Sequence, residues 1–253
     1  MVLDALRAGA TAGRAFVVAT HDPAVLDVAD HVIELVARPP AAVARSPSPV
    51  DAGPPVVRAH GLVKALGGRR VVEAVSLEVC AGPLAVVVGR SGSGKSTLLM
   101  LLAGWLEPDS GSSDRLRDWR DLAYVPQRFG LVPELSVAEN VDLPARLTGA
   151  DGDGSVLAAV ALDGLERRLP AEVSIGQQQR LAVARALAVR PRILVVDEPT
   201  SHQDAASAER VWAELAAAAG AGSAVLVATH EPDVAGRAHR AWHLDDGRLE
   251  PLA

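Results

Sequence analysis

Lysine is nearly missing from this chain. Of its 25 basic residues only Lys64 and Lys95 are lysine, and the other 23 are arginine. Cysteine is reduced to one copy, Cys80, which excludes an internal disulfide and a cysteine-built metal centre and fits a buried thiol in a reducing compartment. No apolar run approaches the ~20 residues that a membrane-spanning helix needs. Residues 1 to 14 lack both a basic start and an apolar core region, so no signal peptide is expected. Positive charge is not in excess either. The net charge is −6, which argues against nucleic acid as the main partner. What remains is a chain of 253 residues, 49% hydrophobic, with room for one sizeable α/β domain and additional segments.

The scarcity of lysine gives weight to one of the two copies. Gly89, Arg90, Ser91, Gly92, Ser93, Gly94, Lys95, Ser96 and Thr97 form a G-x-x-x-x-G-K-S phosphate loop. An apolar run, Leu84 to Val88, precedes it, and Leu98-Leu-Met-Leu-Leu102 follows. This is the context the motif requires: a buried strand, a tight turn, then a helix whose free amides and positive dipole end face phosphate oxygens. A planar guanidinium is too wide to replace an ammonium inside such a cradle. A lysine at this position, in a chain that otherwise uses arginine, therefore marks the site.

A second apolar run, Ile193 to Val196, reads as a buried parallel strand that delivers Asp197 and Glu198 at its end. Open α/β sheets bind ligands at the carboxyl ends of their strands, so this pair is expected beside the phosphate loop. Asp197 and the Ser96 hydroxyl can hold magnesium, a hard cation that takes oxygen ligands. Glu198 is expected to polarise an attacking water.

A third string, Val173-Ser174-Ile175-Gly176-Gln177-Gln-Gln-Arg180, opens an alanine-rich helix, and a fourth, Val227-Ala-Thr-His230, closes the set. With these four in this order, residues 56 to 249 resemble the ATP-binding cassette (ABC) family. The resemblance identifies Ser174 to Gln177 as the family's signature motif. It implies that Gln127 senses magnesium and contacts a membrane subunit, that Asp204 lies in a loop linking the two sites of a dimer, and that His230 is a switch histidine near the γ-phosphate. It also implies a P-loop fold of ABC type: a mostly parallel sheet core with antiparallel strands and a helical subdomain at about 128–172. ATP and magnesium are the implied ligands. Two positions depart from the family pattern. Leu66 stands where an aromatic usually stacks on adenine, which removes π-stacking from base recognition. Ile175 replaces the commonest glycine, but the attributed contact uses Ser174 and the backbone of Gly176.

Upstream, Ala15-Phe-Val-Val-Ala-Thr-His21-Asp-Pro echoes Ala224-Val-Leu-Val-Ala-Thr-His230-Glu-Pro. Residues 1–38 are therefore read as a remnant of a preceding cassette, too short to bury an independent core. Residues 39–55 form a proline-rich linker, and the nucleotide-binding domain spans 56–253. Within it, Val56 to Val63 and Val71 to Val79 are expected as strands around Gly67-Gly68. The segment from Gly111 to Gln127 looks too short and polar for a full antiparallel arm. Ser136-Val-Ala-Glu139 is a capping box, and an apolar helix is expected over Val156 to Leu162 after Gly152 and Gly154.

The string Leu131 to Gly149 resembles the lipoprotein-releasing and macrolide-exporter branch of the family. The resulting expectation is the ATP-hydrolysing subunit of an ABC transporter. It would pair with a second cassette, drive a separate membrane permease, and sit in the cytoplasm at the inner face of the membrane through that permease. The alternatives are a soluble tandem-cassette translation factor, disfavoured by the short proline-rich linker, and a non-hydrolysing regulatory cassette, disfavoured by intact Lys95, Asp197, Glu198 and His230.

Overall fold

The computed structural model describes residues 52–114, 119–149 and 154–252. The segment 1–38, the first part of the linker and Gly152 lie outside the described residues. The nucleotide-binding domain begins with a long hairpin, β1 (Pro55–Leu66) and β2 (Arg69–Cys80), turning at Gly67-Gly68. Both strands run further than their apolar patterns predict, because backbone pairing continues through the exposed ends. Cys80 is buried at the end of β2.

The expectation of an incomplete antiparallel arm needs correction. Residues 110–114 form a strand, β4 (Ser110–Asp114), that pairs with the free edge of β1, from Arg58 opposite Asp114 to Val63 opposite Ser110. Its Ser-Gly-Ser-Ser-Asp sequence has no apolar face, since an edge strand needs only backbone partners on one side. The result is a three-stranded antiparallel sheet in the order β2-β1-β4.

The second sheet has six strands in the order β5-β6-β7-β3-β8-β9. These are β3 (Leu84–Val88), β5 (Leu122–Val125), β6 (Ile193–Asp197), β7 (Ala224–Thr229), β8 (Arg240–Asp245) and β9 (Arg248–Leu252). The first five run parallel, and β9 returns antiparallel to β8 at the edge. Every residue of β3, β6 and β7 is buried. That is why they read as unbroken apolar runs and not as alternating ones.

Their two faces feed separate cores. Val87, Val195 and Leu226 face the hairpin and helix α1 (Lys95–Leu102), which contributes Leu98, Leu99, Leu101 and Leu102. Val86, Val196 and Val227 face helices α4 (Ile175–Leu187) and α5 (Ala205–Gly220), including Val183, Val211, Trp212 and Leu215.

A third core belongs to the helical subdomain. Val137 and Val141 of α2 (Val137–Thr148) and Leu157 of α3 (Val156–Ala159) pack with Leu162 against Leu181 and Ala184 of α4. Helix α3 is shorter than expected. Ala161 adopts a left-handed conformation (φ 55) and the Leu162 amide donates back to the Leu157 carbonyl at 2.8 Å. This closure is typical of a helix C-terminus, and it turns Leu162 into the core. The Ser136–Glu139 capping box forms as expected, with the Ser136 amide donating to Glu139 Oε2 at 2.8 Å and the Glu139 amide to Ser136 Oγ at 3.3 Å.

Asn140, fully buried on α2, holds the preceding loop in place. Its Oδ1 accepts from the Val132 amide at 2.9 Å, and its Nδ2 donates to the carbonyls of Val132 and Leu135 at 3.0 and 2.8 Å. Replacing it by leucine strands these backbone groups away from water. Asn140→Leu is expected to lower stability by about 1–3 kcal/mol, read as a lower urea midpoint at unchanged m-value.

Candidate active site

The polar residues of the site emerge where β3, β6 and β7 end together. Val88 is in register with Thr229, and Val227 with Val196. The chain leaving β3 therefore enters the phosphate loop beside Asp197, Glu198 and His230. The loop approaches its neighbours closely. A Cβ on Gly94 (φ 105) would collide with the Val71 carbonyl, and one on Gly89 with the Leu244 carbonyl. Only glycine lets the turn lie against β2 and β8. Helix α1 starts at Lys95 with no side-chain cap and no acidic residue in its first turn. Its first amides and positive dipole end stay available to an anion. Arg90, Ser91 and Gly92 form the exposed crest; Ser93 and Thr97 are buried, and Ser93 Oγ has no hydrogen-bond partner.

Lys95 is 6% exposed. Its Nζ donates to the carbonyls of Gly89 at 2.7 Å and Arg90 at 3.1 Å and lies 3.5 Å from Glu198 Oε1. The other Glu198 oxygen lies 2.8 Å from His230 Nδ1 and accepts from the His230 amide at 3.3 Å. One buried carboxylate thus joins the loop lysine to the histidine after β7. The structure brings all three predicted residues together.

Asp197, at the end of β6, is 3% exposed, and its Oδ1 has no hydrogen-bond partner. The Ser96 hydroxyl hydrogen-bonds to its carboxylate. Burial raises its proton affinity above that of an ordinary aspartate, and the Glu198 charge adds to this, while the Ser96 bond and the Lys95 ammonium oppose it. An orphaned buried oxygen beside a hydroxyl is a fitting donor set for a hard cation. Tyr124 of β5 lies near enough that burial and the Asp197 charge push its phenol up. Nothing in the sequence had pointed to Tyr124.

The signature segment folds as the first turn of α4, with Ser174 as its cap: the Gln177 amide donates to Ser174 Oγ at 3.2 Å and the Ser174 amide to Gln177 Oε1 at 2.7 Å. A Cβ on Gly176 would sit 2.8 Å from the His202 carbonyl. Ile175 is 56% exposed and meets no such constraint. That difference explains why one glycine position is occupied by isoleucine and the other is not. Asp204 caps α5, accepting from the Ser207 amide at 3.0 Å and the Ser207 hydroxyl at 2.8 Å. These bonds hold its carboxyl below the usual range. Leu66 is 44% exposed at the end of β1.

Gln127 is exposed just beyond β5 and lines a groove of about 780 Å³ with Phe129, Ile175, Gln178 and His202. Arg185 of α4 holds the loop after Gln127, donating to the carbonyls of Gly130 at 2.6 Å and Phe129 at 2.9 Å. Sequence reasoning missed Arg185 and also Gln179, whose position inside the signature helix was its only signal.

The family model for ABC transporters matches residues 72–201. The chain belongs to the ABC transporter family. It is 36% identical to the lipoprotein-releasing system ATP-binding protein LolD of Bordetella pertussis over 228 residues, covering 80% of this chain and 98% of that protein. It is 38% identical to the macrolide export ATP-binding/permease protein MacB of Nitrosomonas europaea over 221 residues, 78% of this chain and 34% of the longer relative. A solved ATP-binding cassette dimer in a post-hydrolysis state, bound to ADP and phosphate, superposes with a TM-score of 0.69 at 30% identity, covering 78% of this chain and 99% of that one. This ABC protein is an ATPase subunit of a transporter, of the LolD and MacB type.

For this ABC ATPase the raised proton affinity of Asp197 has a measurable consequence. The folded state binds the proton more tightly than the unfolded chain, whose carboxyl titrates near 3.8. The contribution of this one carboxyl to stability is therefore greatest below that value and is lost as pH rises through the higher folded value, leaving the ionised carboxylate a net cost at neutral pH. Asp197→Asn is expected to raise the melting temperature in EDTA by a few degrees. The same change should remove any stabilisation that magnesium adds to that given by ATP, read as the shift in melting temperature on adding the ion.

Proposed function

We propose that this cassette drives a separate membrane permease by ATP-dependent closure against a second cassette, and that Glu198 polarises the attacking water. The observation that carries the reading is the Glu198 carboxylate held between Lys95 and His230 at the ends of three adjacent strands. A base in this position has access to the outermost phosphate of a nucleotide seated on the loop, while Lys95 offers that phosphate a compact charge. Ser96 and Asp197, with Gln127 at the neighbouring strand end, are the residues that would hold magnesium. The ion would supply neutralisation of charge on the phosphate oxygens. Leu66 covers the base without π-stacking, so weak discrimination between ATP and GTP is part of the proposal.

In the dimer, Ser174 to Gln177 of one cassette would face the phosphate loop of the other, with Asp204 in the loop linking the two sites. The groove beside Gln127 would receive the permease. Among the described residues no helix is long and apolar enough to cross a membrane. A permease contact would place the cassette peripherally at the inner, cytoplasmic face. The relatives named as lipoprotein-releasing and macrolide-export proteins support a partner of that kind.

Glu198→Gln keeps the shape and removes the base. It is expected to retain binding of magnesium and ATP while hydrolysis falls roughly 10²–10⁴-fold, the range typical of a lost general base. Equilibrium binding and phosphate release, measured on the same preparation, check both halves.

Residues 1–38, proposed as a remnant of a preceding cassette, would contribute nothing to this site. Deleting residues 1–50 is expected to leave ATPase activity per folded molecule within about twofold, under ~0.5 kcal/mol of barrier. A loss of activity on deletion would make His21 a working residue instead.

A further inference from the structure

Glu198 has an unusual backbone. Its φ is +53, a left-handed conformation that a residue with a Cβ keeps only when its surroundings over-determine it. The determinants are visible. The Glu198 amide donates to the Ala228 carbonyl at 2.8 Å, which ties it to β7. On the other side, the Glu198 carbonyl accepts from Gln179 Nε2 at 2.6 Å, and Ser201 Oγ lies within hydrogen-bond distance at 3.3 Å.

Gln179 lies on α4, two residues past the signature, and is 2% exposed. All four hydrogen-bonding positions of its amide are used. Nε2 donates to the Glu198 carbonyl and to Ser201 Oγ at 3.2 Å, and Oε1 accepts from the His202 amide at 3.2 Å and Gln203 Nε2 at 2.9 Å. Gln203 Nε2 also donates to the Gly176 carbonyl at 2.8 Å, and Arg180 Nη1 donates to Gln203 Oε1 at 2.7 Å. With every hydrogen-bonding position of the buried Gln179 amide occupied, losing any one of these bonds strands a polar group and is costly.

We propose that Gln179, assisted by Ser201, is a positioning residue for Glu198 that fixes its left-handed backbone and so ties the placement of the water-polarising carboxylate to helix α4. The proposal rests on the reading of Glu198 as the base. Rotating the Glu198 peptide would swing its carboxylate away from Lys95 and His230, and a displacement of about 1 Å at a reacting group costs on the order of a hundredfold in rate. The same helix opens with Ser174 to Gln177, and the segment carrying His202 and Gln203 is bonded to both. A shift of the signature helix would thus reach the carboxylate through one amide, with no contact between the signature and the phosphate loop of the same chain being required.

The test is a double-mutant cycle on the full chain. Gln179→Glu preserves shape but turns an accepting oxygen toward the Glu198 carbonyl. Expected is a fall in kcat of roughly tenfold or more, with KM for ATP and nucleotide-induced thermal stabilisation within about twofold of wild type. In a Glu198→Gln background the same substitution should change the residual rate by less than about twofold, because its target is already gone. Gln179→Met is expected to behave alike, and Ser201→Ala, at an exposed position, to give a smaller fall of about threefold with the same non-additivity.

A wild-type kcat in Gln179→Glu, alongside a slow Glu198→Gln enzyme, would overturn the positioning role alone. Wild-type hydrolysis by Glu198→Gln would instead overturn the reading beneath it. An equal fall in both backgrounds, or loss of the fold in both Gln179 variants, would make Gln179 a residue that acts elsewhere or serves only the scaffold, and would also overturn the proposal.

Discussion

The constraint on which this cassette depends is the burial of β3, β6 and β7 on both faces. Strands made of valine, leucine, isoleucine and alanine, with a polar residue only at the end of β6 (Asp197) and β7 (Thr229), cannot lie at a solvated surface; they must be covered by layers above and below. The hairpin and α1 supply one cover, and α4 and α5 the other. Because the three strands are parallel, they finish at the same end of the sheet. Each becomes polar only at that end. The crevice holding Lys95, Asp197, Glu198 and His230 is therefore a consequence of where the apolar runs stop.

Helix α4 is the element that two cores share. One stripe, including Val183 and Ala186, packs on the sheet, while another, including Leu181 and Ala184, closes the helical subdomain. Between the two stripes its polar positions do connective work: Gln179 reaches the Glu198 backbone and Arg185 holds the loop after Gln127. Signature, strand-end acids and groove therefore meet on one helix. Removing side chains from either stripe would loosen the seam between the subdomain and the sheet, although α5 also covers this face of the sheet.

Much of the site could be read before the fold was known, because its parts are local. A phosphate loop needs glycines at fixed offsets, and the strand before it must be apolar; both are contiguous signals. That Asp197 and Glu198 lie beside the phosphate loop could be read from the ends of the apolar runs, whereas the joining of Lys95 to His230 through the Glu198 carboxylate appears only in the fold. What could not be read was set by contacts distant in sequence. The β4 strand carries no apolar pattern, because its only requirement is the free edge of β1, and the early end of α3 comes from a left-handed Ala161 in a stretch that scores as helix. Gln179 looks like any polar position of an amphipathic helix until the Glu198 carbonyl, nineteen residues away, is found against it. Leu66, noted in the sequence for standing where the family resemblance expects an aromatic, lies exposed at the end of β1.

The near-absence of lysine also has a chemical consequence. A protein of ordinary composition offers an acylating reagent many ammonium groups, and the label spreads over its surface. Here the sequence offers two side-chain amines. Lys64 is bound to Asp109 at 2.7 Å with 15% of its side chain exposed, and Lys95 is enclosed by two carbonyls and Glu198. Amine acylation is consequently an almost site-resolved assay on this cassette. Mass added at Lys95 would count the fraction of molecules whose phosphate loop has opened, with Lys64 as the internal reference and the twenty-three arginines silent.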